Sequence, residues 1–484
     1  MEPTPRVHTL VLEALTWTPH LETAGEIALA ATAAGLQAAF CFLTAENPDD
    51  FGWGTRAAVP GVRDRFIKVR TLERLLRGQG VLVLRDPPLD DRRLRAIRHY
   101  ADHFPTSMAA LRTYDYDEAH LGQGVASSLV AGTLDPFPVP QEHRALVAAG
   151  LSAAAHCFEQ ALILIDQHAP MEIVTFNGRF ASAVGIAEAA RIRNVPIRFH
   201  ERGASVDRYE VYDALPHGVQ FIQDEIRRYW HAGGPDRESI GATFYERRRK
   251  GEGINWMSYT HAQRPGALPP LPSGKRHVVY FSSSDHELEF IGRPTRRGAF
   301  EGQRDAVAHL MRWVARQADV ALTIRVHPGQ ASSHANDRLW WERLAGPNVS
   351  VVPSAAAVDS YALLDAADLV VTGGSTMGAE ATYWGKPSIS VDASVYGGFD
   401  CVYEPASLEE FDALLAAPAL APKPREHCLP YGFYSVTFGF PFTHFAPTGL
   451  FSGAFLGVTL AWEREWLRRS RLLDAGRALR ARFR

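Results

Sequence analysis

Neither sign of charge is in excess in this chain. Its 484 residues carry 51 Lys and Arg against 54 Asp and Glu, a net charge of −3, so the basic surplus expected of a general nucleic-acid binder is missing. Cysteine is scarce, and Cys41, Cys157, Cys401 and Cys428 stand far apart with no CxxC pair. Such spacing argues against a disulfide framework or a thiolate zinc site and fits a reduced, cytoplasmic set. No run approaches the ~18–20 uninterrupted apolar residues that span a bilayer. The opening MEPTPRVHTLVLEAL has neither the basic region nor the apolar stretch of a signal peptide. A soluble, cytosolic protein is therefore expected. With 46% hydrophobic and 22% charged residues, a large packed core is available. At ~100–200 residues per domain the length predicts two or three domains.

The pattern along the chain is strand, helix, strand. Val7–Leu12 and Leu36–Leu43 read as strands around a helix over His20–Ala34 that ends at Gly35. The rhythm returns with a strand at Met171–Thr175, a helix at Ala181–Arg193 and a strand at Val195–His200. Residues 50–165 show no clear period and are expected to be helical decoration of this first domain. Ala262–Lys275 holds four prolines and two glycines in fourteen residues, a stiff connector between cores. After it come strands at His277–Ser282, Val320–Val326, Val349–Val352, Leu369–Thr372 and Ser388–Val391, with helices at Gly302–Gln317, Asp359–Ala366 and Met377–Trp384. The expected fold is α/β, two Rossmann-like domains with a C-terminal helix. Its divisions are a first α/β domain 1–261 with a helical insertion, a linker 262–275, a Rossmann-like domain 276–440 and an aromatic, basic segment 441–484. Such pairs place ligands between the C-terminal ends of their strands.

Polar residues gather at those predicted strand ends. Gly373-Gly374-Ser375-Thr376 follows an apolar strand and opens a helix. Glycine permits close backbone approach, a helix start suits a phosphate, and Glu380 one turn on can reach sugar hydroxyls. The alternative is an ordinary turn with a Ser or Thr cap. In TIRVHPGQ, Pro328 and Gly329 shape a turn that presents His327, with Arg325 alternating along the strand as a cation of the site or of the core edge. In YFSSSDHELE, Ser283 and Ser284 offer hydroxyls to phosphate, and Asp285 or Glu287 offers a carboxylate near the reacting sugar. A serine-capped helix with an acidic first turn explains the same residues. In the first domain Asn177-Gly178-Arg179 and His200-Glu201-Arg202 also follow strands. Arg179 and Arg202 suit an anionic acceptor and Glu201 or His200 a base, while a buried ion pair tying the two loops is the other reading.

Taken together, FSSSDHE, a helix carrying Gln303, IRVHPG and VDSYALLDAADLVVTGGSTMGAEATYWGKPSISV resemble the bacterial surface and capsule polysaccharide biosynthesis glycosyltransferases. More loosely they are similar to cytidine-nucleotide-using transferases. The resemblance covers residues 277–400 and implies a GT-B architecture, two Rossmann-like domains facing across a cleft. In the cytidine-nucleotide-using groups an HP pair and a later Ser-Ser or Ser-Thr pair contact the donor nucleotide and its phosphate, matched here by His327-Pro328 and Ser375-Thr376. Ser388, eight residues after Glu380, departs from the EX7E pair of retaining members. The strand-end residues and the resemblance together lead to the expectation of a CMP- or UDP-linked sugar donor held by Ser283, Ser284, Arg325, His327, Pro328, Gly373, Gly374, Ser375, Thr376 and Glu380. Asp285, Glu287 and His327 would serve catalysis, and Asn177, Arg179, Glu201 and Arg202 a glycan or lipid-linked acceptor. No cofactor and no metal are expected. A sugar-nucleotide epimerase and a non-catalytic nucleotide-sugar scaffold are the rivals.

Trp462–Arg484 carries eight Arg against Glu463, Glu465 and Asp474, a balance of +5, with Trp462, Trp466, Leu472, Leu473 and Leu479 interleaved. A helix packed back on the domains is the favoured reading. A basic amphipathic helix on the inner face of an anionic membrane is the other. Arg247-Arg248-Arg249-Lys250 reads as a solvated loop.

Overall fold

The computed structural model describes residues 6–43, 62–252, 262–271, 273–291 and 298–460. Along the chain the strands are β1 (Thr9–Glu13), β2 (Ala38–Phe42), β3 (Leu82–Val83), β4 (Glu172–Phe176), β5 (Ile197–Arg202), β6 (Arg208–Tyr212), β7 (Arg276–Phe281), β8 (Val320–Arg325), β9 (Val349–Val352), β10 (Leu369–Thr372), β11 (Ser388–Ser390), β12 (Phe440–Pro441), β13 (Phe445–Gly449) and β14 (Ser452–Phe455). They belong to two compact α/β units. One comprises residues 1–132, 138–215 and 439–484, the other 133–137 and 216–438.

The first unit holds a seven-stranded sheet in the order β12-β6-β5-β4-β1-β2-β3, parallel from β5 to β3 and antiparallel at β6 and β12. β1 and β2 are buried along their whole length, which is why TLVLE and AAFCF are largely apolar runs and not alternating ones. Leu10, Leu12, Leu129, Leu151 and Ile186 fill one face; Leu21, Ile27, Leu72, Phe445 and Phe455 fill the other. From residue 62 onward the stretch expected as decoration supplies much of these two layers, while 44–61 lies outside the described residues. One helical span, Pro140–His168, is long and apolar enough to cross a membrane. Its Val147, Leu151 and Leu164 pack into the first cluster, so core burial accounts for the apolar content. At Gly185 a Cβ would stand 2.2 Å from the Ala154 carbonyl oxygen, so only glycine lets helices Arg144–His168 and Ala181–Ile192 approach this closely.

The second unit holds five parallel strands in the order β11-β10-β7-β8-β9. Strand order reverses between β7 and β10, the doubly wound arrangement, and ligands of such sheets bind outside the carboxyl ends at that reversal. Val278, Leu310, Leu322 and Val371 pack one face; Val279, Phe281, Leu364 and Val370 pack the other.

The divisions differ from those expected. Residues 262–271 are not a connector between cores, because Arg264 N–H donates to Ala357 O, Gly266 N–H to Asp359 Oδ2, and Asp359 N–H to Ala267 O. Backbone pairing lays the proline-rich segment along the second unit. Helices Val219–Ala232 and Arg237–Arg249 also belong there, with Tyr245 OH donating to Cys428 O. After residue 438 the chain returns to the first unit and adds β12, β13 and β14. The helix expected over Trp462–Arg484 lies outside the described residues.

Buried Glu26 fastens this return. Its carboxylate accepts from the N–H groups of Thr443 (2.8 Å), His444 (2.9 Å) and Phe445 (3.1 Å), and lies 3.0 Å from His444 Nδ1. Hydrogen bonds to a charged group contribute roughly 1.5–3 kcal/mol each and are not additive. Glu26→Ala should therefore lower unfolding free energy by about 3 kcal/mol in urea denaturation; a loss under about 1 kcal/mol would show that the hairpin docks without this anchor.

Candidate functional site

Three loops leave the second sheet at the strand reversal: Ser282–Asp285 after β7, His327–Gly329 after β8, and Gly373–Thr376 after β10. Backbone and side chains bind them into one body. His327 N–H donates to Ser282 Oγ (2.8 Å), and Ser283 Oγ donates to Gly373 O (2.8 Å). The buried Gln303 amide accepts from Ser283 N–H (2.9 Å) and donates to Ser283 O (3.1 Å) and to Asp285. Gly374 sits at φ +83°, with Ala393 O 3.0 Å from where a Cβ would stand, so glycine is needed for backbone conformation and for space. A cavity of about 410 Å³ opens beside these loops, lined by Asp285, Gln303, Arg304, Gly374 and Ser394 and walled by Phe137, Val219 and Ile222.

His327 is neutral at neutral pH. Burial, then the charges of Arg325, His286 and Arg248, push it down to about 4. Its Nδ1 accepts from Gly329 N–H (3.2 Å), so the neutral ring carries its proton on Nε2 and is a donor there. His286, also held down to about 4 by burial, has Nδ1 3.2 Å from Ser284 Oγ and 3.1 Å from Ser333 Oγ.

Several residues predicted to touch ligand are instead committed to the scaffold. Ser283 and Ser284 spend their hydroxyls on Gly373 and His286. Arg325, 2% exposed, donates to the carbonyls of Pro353 (2.7 Å), Val326 and Ala356. Burial lowers it to about 10, which leaves it a cation. Glu380 is fully buried, accepting from Tyr361 OH and from Thr376 Oγ1 (3.0 Å) and ion-paired with Arg248 Nε at 3.2 Å. A carboxylate so enclosed does not reach a sugar. Asp285 accepts from Gln303, Arg304 Nε (2.8 Å) and Trp341 Nε1 (3.3 Å), so it is no ready base. Glu287 is half-buried on the first turn of helix Asp285–Ile291, and Pro328 opens the short turn after His327. Ser375 Oγ accepts weakly from Met377 N–H (3.4 Å), keeping its proton to donate.

Arg248 is the residue that sequence reasoning placed wrongly. It lies in helix Arg237–Arg249, not in a solvated loop, and brings its guanidinium to Glu380 and to Thr376 Oγ1 (3.4 Å). Only tertiary pairing distinguishes it from Arg247, which meets Glu252 on the surface.

In the first unit, Asn177 (φ +58°) donates to Glu201 Oε1 (3.1 Å) and its Oδ1 accepts from Arg179 Nε (3.1 Å). The two loops are thus tied together, and burial raises the Glu201 carboxyl. Arg202 donates to Leu450 O (2.9 Å) and Thr18 O (3.2 Å). His200 is fully buried with Nε2 2.5 Å from Glu13 Oε1, so it is not an exposed base. Also beyond sequence reasoning is Lys68, fully buried, reaching Glu22 (2.8 Å), Thr18 Oγ1 (2.6 Å) and Thr16 O (2.8 Å). Among the described residues no three His, Cys, Asp or Glu gather as metal ligands.

Arg304 links the carboxylates of Asp285 and Asp337 and lies between the rings of Phe137 (4.7 Å) and Trp340 (4.4 Å). Burial, then the Asp285 charge, push Asp337 up to about 7. Unfolded, it titrates near ~3.9, so the folded protein retains a proton between about pH 4 and 7. That contribution is full below pH 4 and is lost as pH rises toward 7. His286 and His327 act oppositely, losing stability as pH falls below ~6.5. Asp337→Asn isolates the acid: relative to the parent, its melting temperature should gain about 2 °C or more between pH 5 and 8. Parallel melting profiles would remove the proton from Asp337.

No protein-family model and no curated protein matches the chain. Among solved structures it is similar to a beta Kdo 2,7 transferase, KpsC of Thermosulfurimonas dismutans, at 12% identity and TM-score 0.34 over 56% of this chain and 79% of that one. It is similar to a UDP-N-acetylglucosamine 2-epimerase of Listeria monocytogenes at 10% identity and TM-score 0.26, covering 88% and 94%. The glycosyltransferase SnogD of Streptomyces nogalater gives 14% and 0.25, covering 88% and 95%. At these values the assignment of chemistry rests on the residues themselves.

Proposed function

We propose that the protein is a GT-B-type glycosyltransferase that moves a sugar from a CMP- or UDP-linked donor to a glycan or lipid-linked acceptor in bacterial surface polysaccharide biosynthesis. The observation that carries this reading is the convergence of the Ser282, His327 and Gly373 loops at the strand reversal of the second sheet, beside a cavity of about 410 Å³. In this reading the cavity takes part of the donor, and its phosphate meets His327 Nε2–H, Ser375 O–H and the backbone at Gly374. Arg248, held by Glu380, adds a fixed positive charge beside Thr376. Fixed donors and a cation aimed at the leaving phosphate stabilise charge that grows as the glycosidic bond breaks, the largest expected catalytic term. The proposal is of a metal-independent reaction.

Asp285 then positions Arg304 and Gln303, and Glu287 is the carboxylate assigned to the acceptor hydroxyl. The joined Asn177–Arg179 and Glu201–Arg202 loops of the first unit are assigned to the acceptor. A cytoplasmic location, with the basic segment Trp462–Arg484 at the inner face of the membrane, completes the proposal.

His327→Ala tests the site. It should weaken CMP or UDP binding by calorimetry about 10- to 100-fold, the equivalent of roughly 1.5–3 kcal/mol for a hydrogen bond to a charged group. Its melting temperature should stay within about 2 °C of the parent. Equal affinity in a folded variant would sink the assignment. Gly374→Val is a poorer probe, because φ +83° and the Ala393 carbonyl penalise any side chain whether or not phosphate binds there. Nucleotide release that needs no acceptor and yields an isomerised sugar would favour the epimerase instead.

A further inference from the structure

Phe137 is 48% exposed, the most exposed large apolar side chain lining the cavity of the second unit. The short segment that carries it, residues 133–137, belongs to that unit and is fastened there. Leu134 O accepts from His334 N–H (2.9 Å), and the Asp135 carboxylate lies 3.6 Å from His334 Nδ1. Asp135 Oδ1 also accepts from Phe137 N–H (2.9 Å). The backbone under the ring is therefore held, and the ring stays out at the cavity.

Behind the ring is a stack of fixed groups. The Arg304 guanidinium lies 4.7 Å from the Phe137 ring centre and 4.4 Å from that of Trp340. Trp340 meets the fully buried Trp341 edge to face at 4.9 Å. Arg304 Nε donates to Asp285 Oδ2 (2.8 Å) and Nη2 to Asp337, so the cation is anchored in the plane of the stack. With one face of Phe137 covered by Arg304, the exposure of the ring falls on its other face and its edge. A cation draws π density toward its own side. The open face is left less negative, which suits a second planar π system better than it suits a C–H group or a cation. The same cavity is lined by Gly374 at the strand reversal, so one ligand can meet both walls.

We infer that Phe137 is the platform on which the nucleobase of the donor stacks. The inference rests on the transferase reading for the presence of a nucleotide, and it adds which end of the donor the cavity takes. Every base has a π face, so the platform contributes affinity without choosing between cytosine and uracil.

The test is the affinity of the full chain for CMP, UDP and ribose 5-phosphate, which lacks the base, together with the ultraviolet absorbance of bound nucleotide. Stacking should make the bound base hypochromic. Phe137→Leu keeps apolar bulk over Arg304 and removes the aromatic face. It should lose about tenfold or more in nucleotide affinity and lose the hypochromism, with melting temperature and ribose 5-phosphate affinity unchanged. Phe137→Trp should restore both nucleotide readouts. Leu408→Ala, at an exposed apolar position of the same unit, should change neither. Full nucleotide affinity or retained hypochromism in Phe137→Leu would overturn the platform while leaving the transferase reading intact. An equal loss for ribose 5-phosphate would also overturn it, because Phe137 would then only steady Arg304. A parent that binds neither CMP nor UDP would overturn the transferase reading and this inference with it.

Discussion

One buried amide holds the candidate site together. Gln303, 3% exposed, gives both ends of its side chain to the loop after β7 and packs where Gly373 leaves β10, so close that a Cβ there would fall 2.7 Å from Gln303 Cβ. Ser283 passes the connection to Gly373, and Ser282 passes it to His327. Gln303, Ser282 and Ser283 are buried, where a lost hydrogen bond costs the full desolvation of its partner. The loops therefore form one rigid rim. A rim fixed before a ligand arrives avoids ordering costs during binding.

Charge around that rim is also fixed from below. Arg325 is anchored on three carbonyls, Arg248 on Glu380, and Arg304 between two carboxylates and two aromatic rings. Breaking a buried pair leaves an uncompensated charge and costs much more than an exposed pair is worth. Their shared effect falls on His327. Surrounded by positive charge and desolvated, it stays neutral and offers one directed N–H. An anion beside it would meet a donor of set orientation, with the Arg248 guanidinium, paired to Glu380, nearby.

Much of this was legible in the sequence, for particular reasons. Strands such as HVVYF and LVVT are apolar runs buried on both faces, and the turns after them carry Gly, Pro and Ser, so the alternation of strand and helix could be read directly. His327 and Gly374 each stand just past such a strand, so their place at the strand ends could be read from the sequence. What misled was proximity in sequence to a loop. Glu380 sits one turn into its helix, as a ligand contact would, but a partner 132 positions away, Arg248, and Tyr361 enclose it. Ser283 and Asp285 have ligand chemistry, yet their partners Gly373, Arg304 and Trp341 come from other elements, which spacing does not reveal. The proline-rich 262–275 has the composition of a linker, but its backbone groups pair with residues 357–359. The return of the chain after 438 depends on Glu26, a carboxylate in an Ala-rich helix with no local sign of its partners.

The central claim is that nucleotide binds at the strand reversal of the second unit. Amide hydrogen exchange with and without saturating CMP or UDP tests it most directly. The account predicts slowed exchange in the peptides covering 282–286, 326–330 and 373–378, with the sheet edges at β9 and β3 unaffected. Protection confined to the first unit, or no protection in those three peptides under saturating nucleotide, would contradict it.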